Sequence, residues 1–356
     1  MNTTIEVLGF AREPAWLPWA VTYFFLIGVS TTAFFLSLPG LVWRQPAWLG
    51  VSRRALLVAL VCGLSGPVAL LADLHQPGRF LNFYLHPNLG SWMAWGAFFI
   101  PIYMFGLFLY AWLCLRPQLA VLAKKGDKLS GIYRTLAYGG HANAGAIKAA
   151  ALLGGIGAAL ILLYTGMEVM VVQARALWNS PVLPLLFFVT ALNGGLGMTG
   201  LFEALSGNQA AAPLLNRWLV RCQWATLLLL AVWGLLAASG ISSAGAEALA
   251  AMQGEFGWWV TGAWLMGSTL LTLWLASSRS HTLVLPSLFA LQGTWLVRWI
   301  VLMVSQSLPK MGATTHRYFL TPTPDGLLGI VGMVGLCFTI YIVLTSLVPW
   351  DDRAEV

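Results

Sequence analysis

Four ionisable side chains, Asp73, Glu168, Glu203 and Arg298, lie inside long apolar runs of this 356-residue chain. A charged group in hydrocarbon costs about 3 kcal/mol on insertion scales, so each should face protein or a wet cavity. Tyr164 stands one helical turn before Glu168, which puts both on one face. Trp16, Trp19 and Tyr23 recur at i, i+3 and i+7 as an aromatic stripe. Carboxylates and phenols between aromatic walls suit a quinone, because phenols hydrogen-bond its oxygens and a carboxylate accepts its proton. Asp73 and Glu168 are therefore expected to be catalytic, and Tyr23, Asp73, Tyr164, Arg298 and Trp19 to hold the ligand. The plainer readings make Asp73 a helix end at the interface, Arg298 the neutraliser of Glu168, and Tyr164 part of an aromatic belt.

The segment DLHQPGRFLNFYLHPNLGSWMAWG, residues 73–96, is dense in His, Arg, Trp and Tyr. Pro77-Gly78 and Pro87-Asn88 are turn formers that fold it back over the neighbouring helix ends, as a lid or a docking surface. The five histidines (His75, His86, His141, His281, His316) fall in loops or at helix ends on both sides. A membrane haem needs axial ligands facing each other within the bilayer, so haem is not expected. Cys62, Cys114, Cys222 and Cys337 form no CxxC pair, so neither a zinc site nor an iron–sulfur cluster is signalled. Any electrons taken from a quinol must then leave through a metal centre in a partner.

The elements that position these residues follow from composition. The chain is 59% apolar and 9% charged, with a mean hydropathy of +0.78. That much apolar surface requires lipid as its solvent. Spans of about 20 residues are expected at 16–42, 54–74, 92–115, 149–173, 181–205, 217–239, 256–277, 282–304 and 326–349. The first is preceded by Glu6 and Glu13 rather than a basic stretch, and is expected to stay as a span. Arg44, Arg53, Arg54, Arg116, Lys124, Lys125, Lys128, Arg134, Lys148, Arg217, Arg221, Arg279 and Arg353 fall on one side. Only Arg12, Arg79, Arg175, Lys310 and Arg317 fall on the other. The positive-inside rule then places the N-terminus outside and the C-terminus in the cytoplasm. It also explains the net charge of +7 without nucleic acid. In this orientation Tyr23, Asp73, Tyr164, Glu168 and Arg298 share one level near the outer face, and Glu203 lies near the inner one. Gly28/Thr32 and Gly154/Ala158 offer the small-xxx-small spacing that lets helices approach in lipid, and the basic loop 116–148 suits an anionic leaflet.

Three stretches carry a family resemblance: PWAVTYFFLIGVSTTAFF (18–35), DLHQPGRF with HPNLGSWMAWGAF (73–80 and 86–98), and YTGMEV (164–169). In these the chain resembles the NrfD-like family, membrane subunits of polysulfide-reductase-type complexes. The resemblance implies paired four-helix bundles, the first with a menaquinol site near the outer face. It also implies two partners on the periplasmic side of a bacterial inner membrane, a four-cluster iron–sulfur subunit and a molybdopterin catalytic subunit. Matching the family's quinone-site positions puts Tyr23, Asp73 and Tyr164 there. Tyr23 replaces a histidine, so a group titrating near neutrality is absent at that point.

The expected fold is all-α, with nine transmembrane helices in two four-helix bundles plus one extra C-terminal helix. Residues 1–173 would form the quinol bundle, 174–304 the second, and 305–356 the extra helix and cytoplasmic tail. The expected function is quinol oxidation within a tetrathionate or polysulfide reductase type of complex. The rival readings are a secondary transporter or proton channel, and a purely structural anchor. A transporter would show broken helices in both inverted halves around a midplane site. Pro39 and Pro67 have no counterparts in the second half.

Overall fold

In the computed structural model, the described residues are 16–74, 76–126, 128–253, 256–278, 282–307, 318–348 and 350. Arg12, His75, Arg279, His281, Lys310, His316, Arg317 and Arg353 lie outside them.

Among the described residues nine helices are long and apolar enough to cross a membrane. They are α1 (Pro18–Leu41), α2 (Leu49–Asp73), α3 (Trp92–Ala123), α4 (Ala144–Met170) and α5 (Leu183–Leu205). They continue with α6 (Ala212–Ala238), α7 (Phe256–Ser277), α8 (Val284–Ser307) and α9 (Leu327–Leu347). All nine expected spans are present, and no strand occurs among the described residues. Helices alone satisfy every backbone group within a segment, which hydrocarbon demands.

The most apolar window of α1 is 94% buried and that of α9 only 11%, so α1 is the axis of the molecule and α9 faces lipid. Helix α1 packs on α2, α4, α5, α8 and α9. Helix α5 in turn packs on α6 and α8, and α7 on α6 and α8. Helices α3 and α4 pair along their length, while α2 and α3 touch only sparingly.

Small residues set the close contacts. Thr32 Oγ1 donates to the Ala191 carbonyl of α5 at 2.9 Å, and a Cβ on Gly195 would lie 2.5 Å from that hydroxyl. A Cβ on Gly106 of α3 would meet Gly154 Cα of α4 at 2.5 Å, and one on Gly157 would meet Tyr103 Cα at 2.6 Å. Of the expected small-residue positions, Gly154 meets a neighbouring backbone and Thr32 bonds one, while Gly106 and Gly157 make close approaches that the spacing did not single out.

At the end where α2 starts and α5 finishes, Arg54 pairs with Glu203 at 3.8 Å, and Asn208 Nδ2 donates to Glu203 at 2.9 Å. The loop after α3 contains a short helix, Ser130–Leu136, and is held by specific bonds. Arg116 donates to the His141 carbonyl at 2.6 Å, and Tyr133 Oη donates to the Leu347 carbonyl at the end of α9 at 2.9 Å.

Helix α8 contains a π-helical stretch over Ile300–Val304. Such bulges disturb the carbonyl ladder, and here Trp178 Nε1 donates to the Val301 carbonyl.

Candidate functional site

A cavity of about 360 Å³ opens where α2 and α3 diverge, at the end of the molecule where α1 and α3 start and α2 and α4 finish. Tyr23 enters it from α1, Pro67, Leu70 and Asp73 from α2, Gly96 and Ile100 from α3, and Tyr164 and Glu168 from α4. Phe80, Phe83 and Tyr84 cover it from the 74–91 segment, which folds through short helical turns at Pro77–Arg79 and Asn82–Leu85. Tyr84 Oη fixes that cover by donating to the Ala97 carbonyl at 2.9 Å. Partial burial raises the Tyr84 phenol above its ordinary pKa, so it stays a donor at neutral pH.

Tyr23 is wholly buried, and Tyr164 and Glu168 nearly so. The Tyr23 hydroxyl and Glu168 Oε2 have no hydrogen-bond partner among the described residues. Buried polar atoms are seldom left so. Tyr164 rests on α3: a Cβ added to Gly96 would overlap the phenol ring and lie 2.8 Å from its oxygen. Glycine at 96 is what lets the phenol reach the cavity.

Asp73 is half-buried, and its Oδ1 accepts the Leu17 N–H at 3.2 Å. Helix α1 has no side-chain cap on its own first turn, so a carboxylate from α2 sits at the positive end of its dipole. Trp16 forms a further wall, stacked on Phe24 with ring centroids 5.6 Å apart. Its backbone is clamped by Gln306 of α8, which donates to the Trp16 carbonyl at 2.9 Å and accepts its N–H at 3.2 Å.

Two expected ligand contacts lie elsewhere. Trp19 turns to α9: its indole donates to Asp325 at 3.3 Å and lies against Gly329. Trp19 lies about 100° before Ala20 around α1, off the cavity face that runs through Ala20, Tyr23 and Phe24, while Trp16 reaches the cavity from just before the helix. Arg298 neither lines the cavity nor pairs with Glu168. It donates to Thr190 Oγ1, to the Phe187 carbonyl at 2.8 Å and to the Thr294 carbonyl at 3.3 Å, and stacks 4.9 Å over the Phe187 ring. Gly28 lies beside it, where a Cβ would rest in contact 3.4 Å from the guanidinium.

Sequence reasoning missed the Gly96 seat, the Gln306 clamp and the cap between Asp73 and Leu17. Gly96 lies within the aromatic run WMAWGAF, where a lone small residue was the available signal. The other two are partnerships across 290 and 56 residues that spacing does not reveal.

The site as built can hold a flat amphiphile, offer hydroxyls to its polar atoms and take protons on either of two carboxyls. The family model described as polysulphide reductase, NrfD, matches residues 7–310. A tetrathionate reductase subunit of Salmonella typhimurium is 32% identical over 95% of this chain and 94% of its own length. Protein NrfD of Escherichia coli is 25% identical over 85% of this chain and 98% of its own. A selenate reductase subunit of Mesobacillus selenatarsenatis is 25% identical over 56% of this chain and 50% of its own.

Proposed function

The chain belongs to the NrfD polysulphide reductase family, and from that membership we propose a membrane anchor that oxidises menaquinol in the cavity between α1 and α4. The observation that carries the reading is the pair of unpartnered buried atoms, Tyr23 Oη and Glu168 Oε2, on the wall of a cavity of ligand size. They fit a quinol head, while Pro67, Leu70 and Ile100 offer an apolar path for its tail.

A bound menaquinol supplies electrons and protons in equal number. Tyr23 and Tyr164 hold its oxygens. Asp73, at the mouth, accepts a proton and releases it to the outer aqueous side, and Glu168 serves as the deeper acceptor. The aromatic cover of Phe80, Phe83 and Tyr84 keeps bulk water away. Electrons leave to a cluster in a four-cluster iron–sulfur subunit docked on the periplasmic side, and from there reach a molybdopterin subunit that reduces tetrathionate or a related acceptor. The excess of Lys and Arg in the loops of one side supports this orientation, with the N-terminus in the periplasm and the C-terminus in the cytoplasm of a bacterial inner membrane.

The test uses the assembled complex with menadiol as donor, beside an artificial dye that feeds the partner subunits directly. Glu168→Gln and Tyr164→Phe should each depress menadiol-driven turnover and leave dye-driven turnover unchanged. Full menadiol activity in both variants would leave a structural anchor as the better reading.

A further inference from the structure

A second cavity, of about 610 Å³, opens among α5, α6, α7 and α8. It lies on the same side of the membrane as the first, near the starts of α5 and α7 and the ends of α6 and α8. Its floor and walls are hydrocarbon, from Leu186, Leu230, Leu265, Val297 and Val301. Trp259, Gly262 and Met266 of α7 line it and are themselves exposed, so the cavity is open along this helix. Protein interiors seldom leave voids wider than a water molecule, and this one is of ligand size. An apolar hollow that opens sideways from a membrane helix is bathed by acyl chains.

Among the polar groups that Ser180, Gln253 and the tryptophans bring to this mainly apolar lining, one buried atom stands without a partner among the described residues. Trp258, only 7% exposed, lines the cavity, and its indole N–H has no acceptor among the described residues. Its neighbour Trp259 differs, reaching the Gln253 carbonyl at 3.5 Å. A buried donor without a partner is costly, so its acceptor should come with whatever fills the hollow. Trp258 lies in the first turn of α7, the level at which indoles meet the polar margin of a bilayer. Lipid ester carbonyls lie at that margin.

We propose that this cavity binds one acyl chain of a membrane phospholipid, whose ester carbonyl accepts the Trp258 N–H. A quinone fits less well, because it presents two oxygens and needs a proton acceptor. No carboxylate lines this cavity among the described residues. The inference stands independently of the quinol reading of the first cavity.

The complex is purified in mild detergent and washed, and phospholipid and quinone are counted per chain by mass spectrometry. Dioleoylphosphatidylglycerol is then titrated back by native mass spectrometry. Gly262 lines the cavity, and a Cβ there meets nothing within 4 Å, so Gly262→Leu adds bulk at the cavity from an unobstructed backbone position. Gly262→Leu should lose one tightly held phospholipid relative to the parent and keep its quinol-dependent turnover. Trp258→Phe should keep the apolar site and weaken rebinding by up to about tenfold, the worth of one hydrogen bond. Should Trp258→Phe fail to assemble, Gly262→Leu decides alone. A Gly262→Leu protein that holds phospholipid as tightly as the parent, or that sheds quinone instead, overturns the proposal.

Discussion

Asp73 Oδ1 accepts the backbone N–H of Leu17 at 3.2 Å, so a cavity carboxylate also ties the C-terminal end of α2 to the start of α1. Its charge and its hydrogen-bonding oxygen can be separated by mutation. Asp73→Asn keeps an oxygen for Leu17 and removes the proton acceptor. The complex should assemble normally while quinol-dependent turnover falls about 100-fold or more, the usual scale of a lost general base. Asp73→Leu removes the cap as well and should further lower thermal stability by about 1 kcal/mol. Unchanged turnover in Asp73→Asn would take Asp73 out of the chemistry.

The Tyr23 hydroxyl is buried without a partner among the described residues. Deleting it removes an unmet desolvation cost, so Tyr23→Phe should leave the melting temperature level or higher. Turnover with menadiol should still fall about tenfold, the worth of one hydrogen bond to the bound head. Loss of stability together with activity would assign Tyr23 to packing.

Gly96 seats the Tyr164 phenol, and a methyl group there overlaps its ring. Gly96→Ala should raise the KM for menadiol and reproduce much of the Tyr164→Phe defect. Gly78→Ala makes a fair control, because a Cβ at Gly78 meets nothing within 4 Å. Equal kinetics for the two glycine variants would contradict the seating.

Arg298 spends its donors on α5 rather than on the cavity. Arg298→Ala should therefore destabilise the protein, by about 3 kcal/mol, since it removes the bonds to Thr190 and Phe187 that tie α8 to α5 and opens a hole over the Phe187 ring. The KM for menadiol should stay within about twofold, a change of under half a kcal/mol. A selective rise in KM at unchanged stability would return Arg298 to the ligand.

Much of this molecule was legible from its residues in order. Each span must satisfy its own backbone in hydrocarbon and cross a fixed thickness, so hydropathy and length located all nine helices. The one-turn spacing of Tyr164 and Glu168 put both on the face that meets the cavity, because helical period is a local property. Of the small-residue positions, Gly154 marked a place where two backbones touch.

Lateral direction was decided by the tertiary structure. Helix α1 is apolar and buried almost all round, so it carries no polar face to say which neighbour each side chain will meet. Trp19 turned to α9 and Arg298 to α5, although both were expected at the cavity. The cap between Asp73 and Leu17 and the glycine under Tyr164 also arise only once α2 and α3 are set against α1 and α4. In lipid both sides of a helix are equally content with hydrocarbon, so steric fit between distant segments chooses which residues share a site.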